Sequence, residues 1–339
     1  MRPPFQPFLQ PHRVSVAIAT YNRAAMVNQA IEAALAQNYP PDEIVVSDDA
    51  STDGTARVLG EWSGRDPRVR IFRREENSGG VENWNYAIAQ TSGEFIAWCS
   101  DDDRFLPEHL NQSLAYLDAH PEVGLVHSSF IDALETETAD ERLPRPLRRA
   151  APLIVDRGGM FRYLTRYYDW PFHPSTIVMR RAVWEGTGEF DPTFALADTD
   201  WFVRAMERYP AALLPAHGVL NRRHPGNWSN RLGSARMQRE IFEIVEQAIE
   251  RRWPSRHPRK ILWRAIWRAN VRARLALTLW ARLRSGHSEA SLAAWYGFSR
   301  DTGRRLPGWL ECAGAMAIRQ FLRKRPAKFV DVRQSVSPL

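Results

Sequence analysis

The 339-residue chain is long enough for one full α/β domain and a smaller addition. No apolar run approaches the roughly 20 residues that span a bilayer, and the proline-rich residues 1–13 lack the apolar core of a secretion signal. The two cysteines, Cys99 and Cys312, lie far apart, as is typical of a reduced, cytoplasmic protein. The net charge of +7 is compatible with nucleic acid, an anionic membrane or an acidic substrate, and excludes none of them.

Apolar, β-branched runs alternate with segments of helical periodicity through the first half of the chain. This alternation predicts a parallel, doubly wound sheet, in which ligands bind outside the carboxyl ends of the strands. The predicted strands are 14–19, 43–47, 69–72, 95–98, 123–127 and 177–179. A helix is predicted over 107–119, after the fourth strand.

Polar side chains follow three of these strands. Thr20 to Arg23 follow the first strand, Asp48 and Asp49 the second, and Asp101 to Asp103 the fourth. Carboxylates are ligands that Mg²⁺ and Mn²⁺ prefer, so three such ends at one sheet edge predict a site for a metal and a phosphate-bearing ligand. The acidic run by itself is equally compatible with a solvated turn in which Asp103 caps the next helix.

Two further features lie later in the chain. Asp198 begins a predicted helix in which Trp201 and Phe202 suit the buried face, so Asp198 is also a candidate helix cap. His224, between arginines and a Pro-Gly turn, is expected to be accessible. Residues 136–151 are charged and lack periodicity, which predicts a loop.

Taken in order, these motifs resemble those of the family 2 glycosyltransferases, which have the GT-A fold. The resemblance runs from Val14 to about Ser229, about two-thirds of the chain. It implies an α/β fold with a Rossmann-like, mostly parallel sheet flanked by helices. The matching segments are 16–23, 45–55, 100–104 and 198–200, with Asn77, Gly79, Asn85 and Gly93–Glu94 between them.

The resemblance implies a role for each polar position. Asp198 is the implied catalytic base, which deprotonates the acceptor hydroxyl. Asp102, Asp103 and His224 are predicted to hold Mg²⁺ or Mn²⁺. The predicted nucleotide-binding residues are Thr20, Tyr21, Asn22, Arg23, Asp48, Asp49 and Asp101.

Three positions depart from the family pattern. Ser100 stands where the metal motif often begins with Asp, Ala197 replaces the Glu that commonly precedes the base, and Trp84 stands where Arg is usual. The choice of metal ligands within 101–103 therefore stays open.

The implied reaction is an inverting, metal-dependent transfer of a sugar from a UDP-, GDP- or dTDP-sugar to a hydroxyl of a glycan or lipid-linked acceptor. Surface polysaccharide or related glycan synthesis is the family's usual setting. One base without an evident second nucleophile implies direct displacement with inversion. Two alternatives stay open, a nucleotidyltransferase-like enzyme and a catalytically inactive protein that binds sugar nucleotides. The acidic strand ends argue against a nucleic-acid partner.

Beyond about residue 233 the chain is helical and rich in Arg and Trp. Tryptophan, leucine and arginine on one helix are typical of peripheral contact with an anionic membrane. For a cytoplasmic protein this contact would be with the inner face of the membrane. Packing against protein is the commoner use of amphipathic helices and is favoured. Helices are predicted at 237–251, 261–283 and 306–322. The predicted divisions are an N-terminal arm at 1–12, a GT-A glycosyltransferase domain at 13–232, a helical basic extension at 233–325 and a tail at 326–339.

Overall fold

A computed structural model describes residues 11–134, 151–161, 163, 173–228, 234–269 and 271. The chain divides into two compact units. The first comprises Met1–Gly158 and Pro171–Asn227, and the second comprises Gly159–Trp170 and Trp228–Leu339. The predicted loop at 136–151, except for its last residue, and the predicted helix at 306–322 lie outside the described residues.

The described strands of the first unit form a single sheet. They are β1 (Val14–Thr20), β2 (Glu43–Asp48), β3 (Val69–Arg73), β4 (Phe95–Trp98), β5 (Arg104–Phe105), β6 (Leu125–Leu134), β7 (Leu153–Val155), β8 (Ile177–Arg180) and β9 (Ala211–Arg223). Their order across the sheet is β3-β2-β1-β4-β8-β6-β9-β5, with β7 also paired to β9.

Helices pack around this sheet. In the first unit they are α1 (Ala24–Leu35), α2 (Thr55–Arg65), α3 (Gly80–Ala89), α4 (His109–Ala119), α5 (Arg181–Thr187) and α6 (Ala197–Arg208). The periodic apolar residues of α1 are buried, as amphipathic spacing predicts. Strands β1, β2 and β4 are buried along their whole length, which explains their continuous apolar sequences.

The first four strands are all parallel, and their carboxyl ends therefore meet at one edge. Thr20 at the end of β1 is in register with Asp48 at the end of β2, and β4 runs parallel to β1 on its other side. The sheet then continues as a mixed one, because β8 pairs antiparallel with both β4 and β6. The predicted α/β architecture is confirmed, with an antiparallel continuation that the local pattern does not reveal.

Strand β9 returns the chain to the same edge. It runs parallel to β6 and antiparallel to the short strand β5, with Arg104 opposite Leu220. Since β5 directly follows the acidic run 101–103, this pairing brings the end of β9 beside it. Residues Asn221 to His224 are buried there except for Arg223.

The second unit is helical where it is described. Helix α7 (Ser234–Arg252) contains the predicted helix at 237–251 and buries its apolar face. A second helix follows at 258–269, and its Arg264 and Arg268 both pair with Glu246 of α7 at 3.0 Å. In the described part of the chain, no helix combines the length and the apolar character needed to cross a membrane.

Candidate active site

Three consecutive carboxylates follow β4, in a segment (residues 100–103) called here the acidic loop. The hydroxyl of Thr20 donates a hydrogen bond to Asp101 Oδ2 at 2.7 Å, which joins the end of β1 to this loop. Burial raises the pKa of Asp101 to about 7, and the negative charge of neighbouring Asp102 adds to the effect. The loop therefore concentrates carboxylates with little access to water.

One oxygen of Asp102 lies close to three side-chain nitrogens. Asp102 Oδ2 lies 2.7 Å from Arg23 Nη1, 3.1 Å from His224 Nε2 and 3.3 Å from Asn227 Nδ2. His224 Nδ1 lies 3.1 Å from the Gly226 nitrogen, and His224 Nε2 also lies 2.9 Å from Arg23 Nη1. The expectation of an accessible His224 is wrong: its side chain is only 6% exposed, because the Pro-Gly turn folds the ring back against the acidic loop.

Asp103 braces the loop from its other side. Its Oδ2 accepts a hydrogen bond from Ser175 Oγ at 2.6 Å, and its Oδ1 accepts the Arg222 N–H at 3.2 Å. Burial, followed by repulsion from Asp102, raises its pKa to about 8. The alternative of Asp103 as a helix cap is wrong, since the residue before α4 is Glu108.

At the end of β2, Asp49 fastens the loop that leads to α3. Its Oδ1 accepts hydrogen bonds from the N–H and the hydroxyl of Ser78, both at 3.0 Å, and its Oδ2 accepts the Gly79 N–H at 2.9 Å. Its own N–H donates to the Thr20 carbonyl at 3.0 Å. Asp49 therefore lies beside Thr20 and organises the polypeptide around it.

The other predicted nucleotide-binding residues occupy the same rim. Asn22, at a φ of 53°, accepts the Thr52 N–H at 2.8 Å and donates its own N–H to Ser51 Oγ at 2.8 Å. Asp48 accepts the Ser51 N–H at 3.1 Å. Asn22 thus joins the two strand-end loops and Asp48 shapes the second of them, whereas Tyr21 is 44% exposed and presents its ring to solvent.

Asp198 lies in the first turn of α6. The helix begins at Ala197 and its cap position is Leu196, so the expectation of Asp198 as the cap is wrong. Asp198 Oδ1 accepts the Thr199 N–H at 2.7 Å, and burial raises the pKa of the Asp198 carboxyl. The predicted buried face of the helix is confirmed: Trp201, Phe202, Ala205 and Met206 are all buried.

One imidazole lies against the acidic loop and is affected by the charge of a residue in α6. His173 Nδ1 lies 3.5 Å from Asp103 Oδ2. Burial lowers the pKa of His173, while the charges of Asp102 and Asp198 act in the opposite direction. Both carboxylates therefore lie near enough to the same ring for their charges to act on it.

Sequence reasoning missed several residues that complete the site. Arg222 is buried, and its guanidinium donates to the Asp102 carbonyl, to Gln29 Oε1 at 2.6 Å and to the Met26 carbonyl at 3.3 Å. Nothing local to Arg222 predicts these contacts, since they depend on the return of β9. The polar run at 173–175 before β8 is the one local signal for His173 and Ser175.

The sequence model of glycosyl transferase family 2 matches residues 15–185, just over half of the chain. The Mycobacterium tuberculosis protein Rv1520 is 30% identical over 222 residues, which cover 63% of this chain and 60% of that protein. TuaG of Bacillus subtilis, whose name describes a teichuronic acid biosynthesis glycosyltransferase, is 27% identical over 156 residues, or 42% of this chain and 62% of TuaG. The chain thus spans about 60% of the length of these relatives.

Two solved structures share the architecture. TarS of S. aureus, in complex with UDP-GlcNAc, aligns with a TM-score of 0.63 and 15% identity, over 92% of this chain and 90% of that one. The mannosyltransferase PcManGT of Pyrobaculum calidifontis, in complex with GDP-Man and Mn²⁺, aligns with a TM-score of 0.55 and 20% identity, over 93% and 87%. These likenesses confirm the GT-A fold. Together with the match of the family model, they lead to one conclusion: the chain belongs to glycosyl transferase family 2.

Proposed function

We propose that the protein transfers a sugar from a nucleoside-diphosphate donor to a hydroxyl of a glycan or lipid-linked acceptor, in the synthesis of a surface polysaccharide or related glycan. The name of TuaG supports a polysaccharide setting. The UDP-GlcNAc and GDP-Man complexes of the structural neighbours support a nucleotide-sugar donor. Family membership supports glycosyl transfer as the reaction class.

The observation that carries this proposal is the convergence of separate stretches of chain on the acidic loop. Thr20 contacts Asp101, and Arg23 contacts Asp102. His173 lies against Asp103 and is acted on by the charge of Asp198. A nucleotide-sugar bound along the ends of β1, β2 and β4 would therefore have its sugar end near α6.

In this proposal Asp198 takes the proton from the acceptor hydroxyl as that oxygen attacks the anomeric carbon. Burial raises the pKa of Asp198 and so makes its carboxylate a stronger base. A positioned base typically contributes about 10²–10⁴ in rate. Attack by the acceptor itself breaks the bond to the diphosphate in a single displacement, which inverts the anomeric carbon.

The residues of the acidic loop fit a divalent cation by their chemistry. Within the ranges that the structure describes, no three His, Cys, Asp or Glu side chains surround a common point as metal ligands would. However, Asp102 and His224 approach each other closely, with Asp102 Oδ2 3.1 Å from His224 Nε2, and both are of a type that ligates divalent cations. Repulsion from Asp102 also raises the pKa of both neighbouring carboxyls. A positive ion beside Asp102 would offset this repulsion among the carboxylates.

We therefore propose that Asp102 and His224 would hold Mg²⁺ or Mn²⁺. Asp103, whose two oxygens already bind Ser175 and Arg222, would keep the loop in place. A bound divalent metal acts as a Lewis acid that neutralises the charge of a leaving nucleoside diphosphate.

The test is a panel of UDP-, GDP- and dTDP-sugars, in which release of the nucleoside diphosphate is measured with wild type and with Asp198→Asn. We expect Asp198→Asn to lose at least about 100-fold in turnover and to keep its nucleotide affinity, because the donor lies on the strand ends. Asp191→Asn is the matched control, since Asp191 is a partly exposed acid of the same segment whose carboxylate binds Thr193, and it should keep full turnover.

Substantial turnover by Asp198→Asn would rule out its role as the base. The panel also separates the alternatives. A nucleotidyltransferase would release pyrophosphate in place of a nucleoside diphosphate, and an inactive protein would bind nucleotide sugars without consuming them.

A further inference from the structure

Helix α3 carries two buried asparagines whose side chains reach different parts of the first unit. Asn83 reaches the ends of β1 and β2: its Nδ2 donates to the Thr20 carbonyl at 3.2 Å and to the Ser47 carbonyl at 3.0 Å. Its Oδ1 accepts the Ser47 hydroxyl at 2.5 Å. Asn83 therefore fixes α3 against the two strand ends at which the donor is proposed to bind.

Asn85 reaches the end of α5 and the start of the connection to α6, residues 187–190, called here the bridging loop. Its Oδ1 accepts the Phe190 N–H at 2.9 Å, and its Nδ2 donates to the Phe190 carbonyl at 2.9 Å. Both polar atoms of one buried side chain are thus matched to both polar groups of one residue. Such a buried pair is costly to break, because each lost bond leaves a desolvated donor or acceptor.

The bridging loop is in turn fastened to α6 by side chains of that helix. Trp201 Nε1 donates to the Gly188 carbonyl at 2.8 Å. Arg204 donates to the Thr187 carbonyl at 2.8 Å and to the Glu189 carbonyl at 2.7 Å. Three successive carbonyls of the loop therefore bind donors on the helix that carries Asp198.

Aromatic rings also pack the bridging loop against β4 and α6. The ring centroid of Phe190 lies 5.0 Å from that of Trp98, the last residue of β4, and 5.3 Å from that of Trp184. Trp98 also lies 4.8 Å from Trp201. The bridging loop is thus packed between the strand that leads into the acidic loop and the helix that carries the base.

We propose that Asn85 is a positioning residue for the transfer reaction: through the bridging loop it sets the place of Asp198 relative to the strand ends that hold the donor. The proposal rests on the function proposed above. A displacement of about 1 Å between reacting groups costs on the order of 10²-fold in rate. Loss of the Asn85 pair should therefore lower kcat and spare nucleotide binding, which depends on Asn83 and the strand ends.

The test compares Asn85→Ala with Ser15→Ala. Ser15 is also buried and also makes two side-chain hydrogen bonds, to Glu43 and from the Gly93 N–H, but at the opposite end of β1. We expect Asn85→Ala to lose about 10–100-fold in kcat, with Kd values for UDP and GDP in Mn²⁺ within about threefold of wild type. Ser15→Ala should keep both quantities. Asn83→Ala should show the opposite result: weaker binding of UDP and GDP, with a smaller effect on kcat.

The proposal is overturned if Asn85→Ala keeps the kcat of Ser15→Ala, or if its nucleotide affinity falls as far as its kcat. If Asn85→Ala does not fold, Asn85→Asp is measured in its place, since its carboxylate still accepts the Phe190 N–H but cannot donate to the Phe190 carbonyl.

Amide hydrogen exchange provides a readout that does not depend on turnover. In Asn85→Ala, exchange should accelerate in residues 187–201 and stay unchanged in 14–20 and 43–48. Unchanged exchange at 187–201, or acceleration throughout the unit, overturns the proposal. A wild type that consumes no donor in the panel would instead refute the proposed function, and the exchange measurement would still decide whether Asn85 positions α6.

Discussion

At the scale of single residues, Arg23 and Asp102 form a close ion pair within the site. The two side chains are 20% and 14% exposed and lie 2.7 Å apart. Removing one partner of so buried a pair leaves an uncompensated charge, which typically costs about 3–5 kcal/mol. Arg23 therefore helps to keep the acidic loop folded.

Asp102→Asn should weaken Mn²⁺ binding by at least about 10-fold, because the neutral amide removes the charge that would attract the ion. Titration of Mn²⁺, followed by its electron paramagnetic resonance signal, measures this affinity directly. Asp191→Asn serves as the control for an acid outside the site. Equal affinity of Asp102→Asn and wild type would contradict the proposed ligand.

Ala50 is a second residue with a local consequence. It follows Asp48 and Asp49 at a φ of 58°, a left-handed conformation that costs a residue with a Cβ about 1–2 kcal/mol. Ala50→Gly removes that cost and adds about 0.4–1 kcal/mol of unfolded-state entropy. We expect a net stabilisation of about 0.5–1 kcal/mol, measured by urea unfolding. A destabilised variant would show that the turn tolerates alanine without strain.

At the scale of elements, the packing of α4 against the sheet depends on a close approach at β9. The pairing of β6 with β9 shifts register on both sides of Ser129. Just beyond, a Cβ built on Gly218 would lie 2.3 Å from His109 Nδ1 and 2.4 Å from Ser128 Oγ. Because Gly218 has no Cβ, α4 and β6 can pack closely against β9. This contact lies next to β5, which directly follows the acidic loop.

Gly218→Ala should destabilise the protein by about 1–3 kcal/mol, because the added methyl overpacks a rigid contact. Gly60→Ala is the matched control: Gly60 lies in α2 with open space around it, and the change should stabilise that helix by about 0.5–1 kcal/mol. Thermal unfolding of the two variants measures both effects. A neutral Gly218→Ala would mean that His109 and Ser128 move aside at no cost.

At the scale of the whole molecule, local patterns predict what local interactions determine. Strands β1 to β4 are visible as apolar runs, and the polar residues at their ends are visible as candidate site residues. The antiparallel entry of β8 and the return of β9 are settled by pairings between distant stretches, and no local pattern encodes them. For the same reason Asp102 could be named from sequence, whereas Arg222, which arrives on β9, could not.

Acid stability is another property of the whole first unit. His109 is buried, and burial lowers its pKa from 6.5 to about 3. Above pH 6.5 the ring is neutral in both states and contributes nothing. Between pH 6.5 and 3 the unfolded chain binds a proton that the native ring does not, so the free energy of unfolding decreases by about 1.4 kcal/mol per pH unit.

His109→Gln, which has no titrating ring, should therefore reduce the slope of unfolding free energy against pH by about 1.4 kcal/mol per unit between pH 6 and 4.5. Urea titrations at several pH values, on wild type and variant, measure the two slopes. Identical slopes would mean that His109 is protonated in the native state.

The position of β8 between β4 and β6 has a consequence for synthesis on the ribosome. Roughly 80 residues separate the end of β4 from the start of β8, so at about 5–20 residues per second translation needs on the order of 4–16 s to deliver the partner strand. During that interval the nascent sheet β3-β2-β1-β4 has an apolar strand at its open edge, the kind of template on which chains pair with one another. An aggregation-sensitive interval of translation therefore lies between the synthesis of β4 and that of β8.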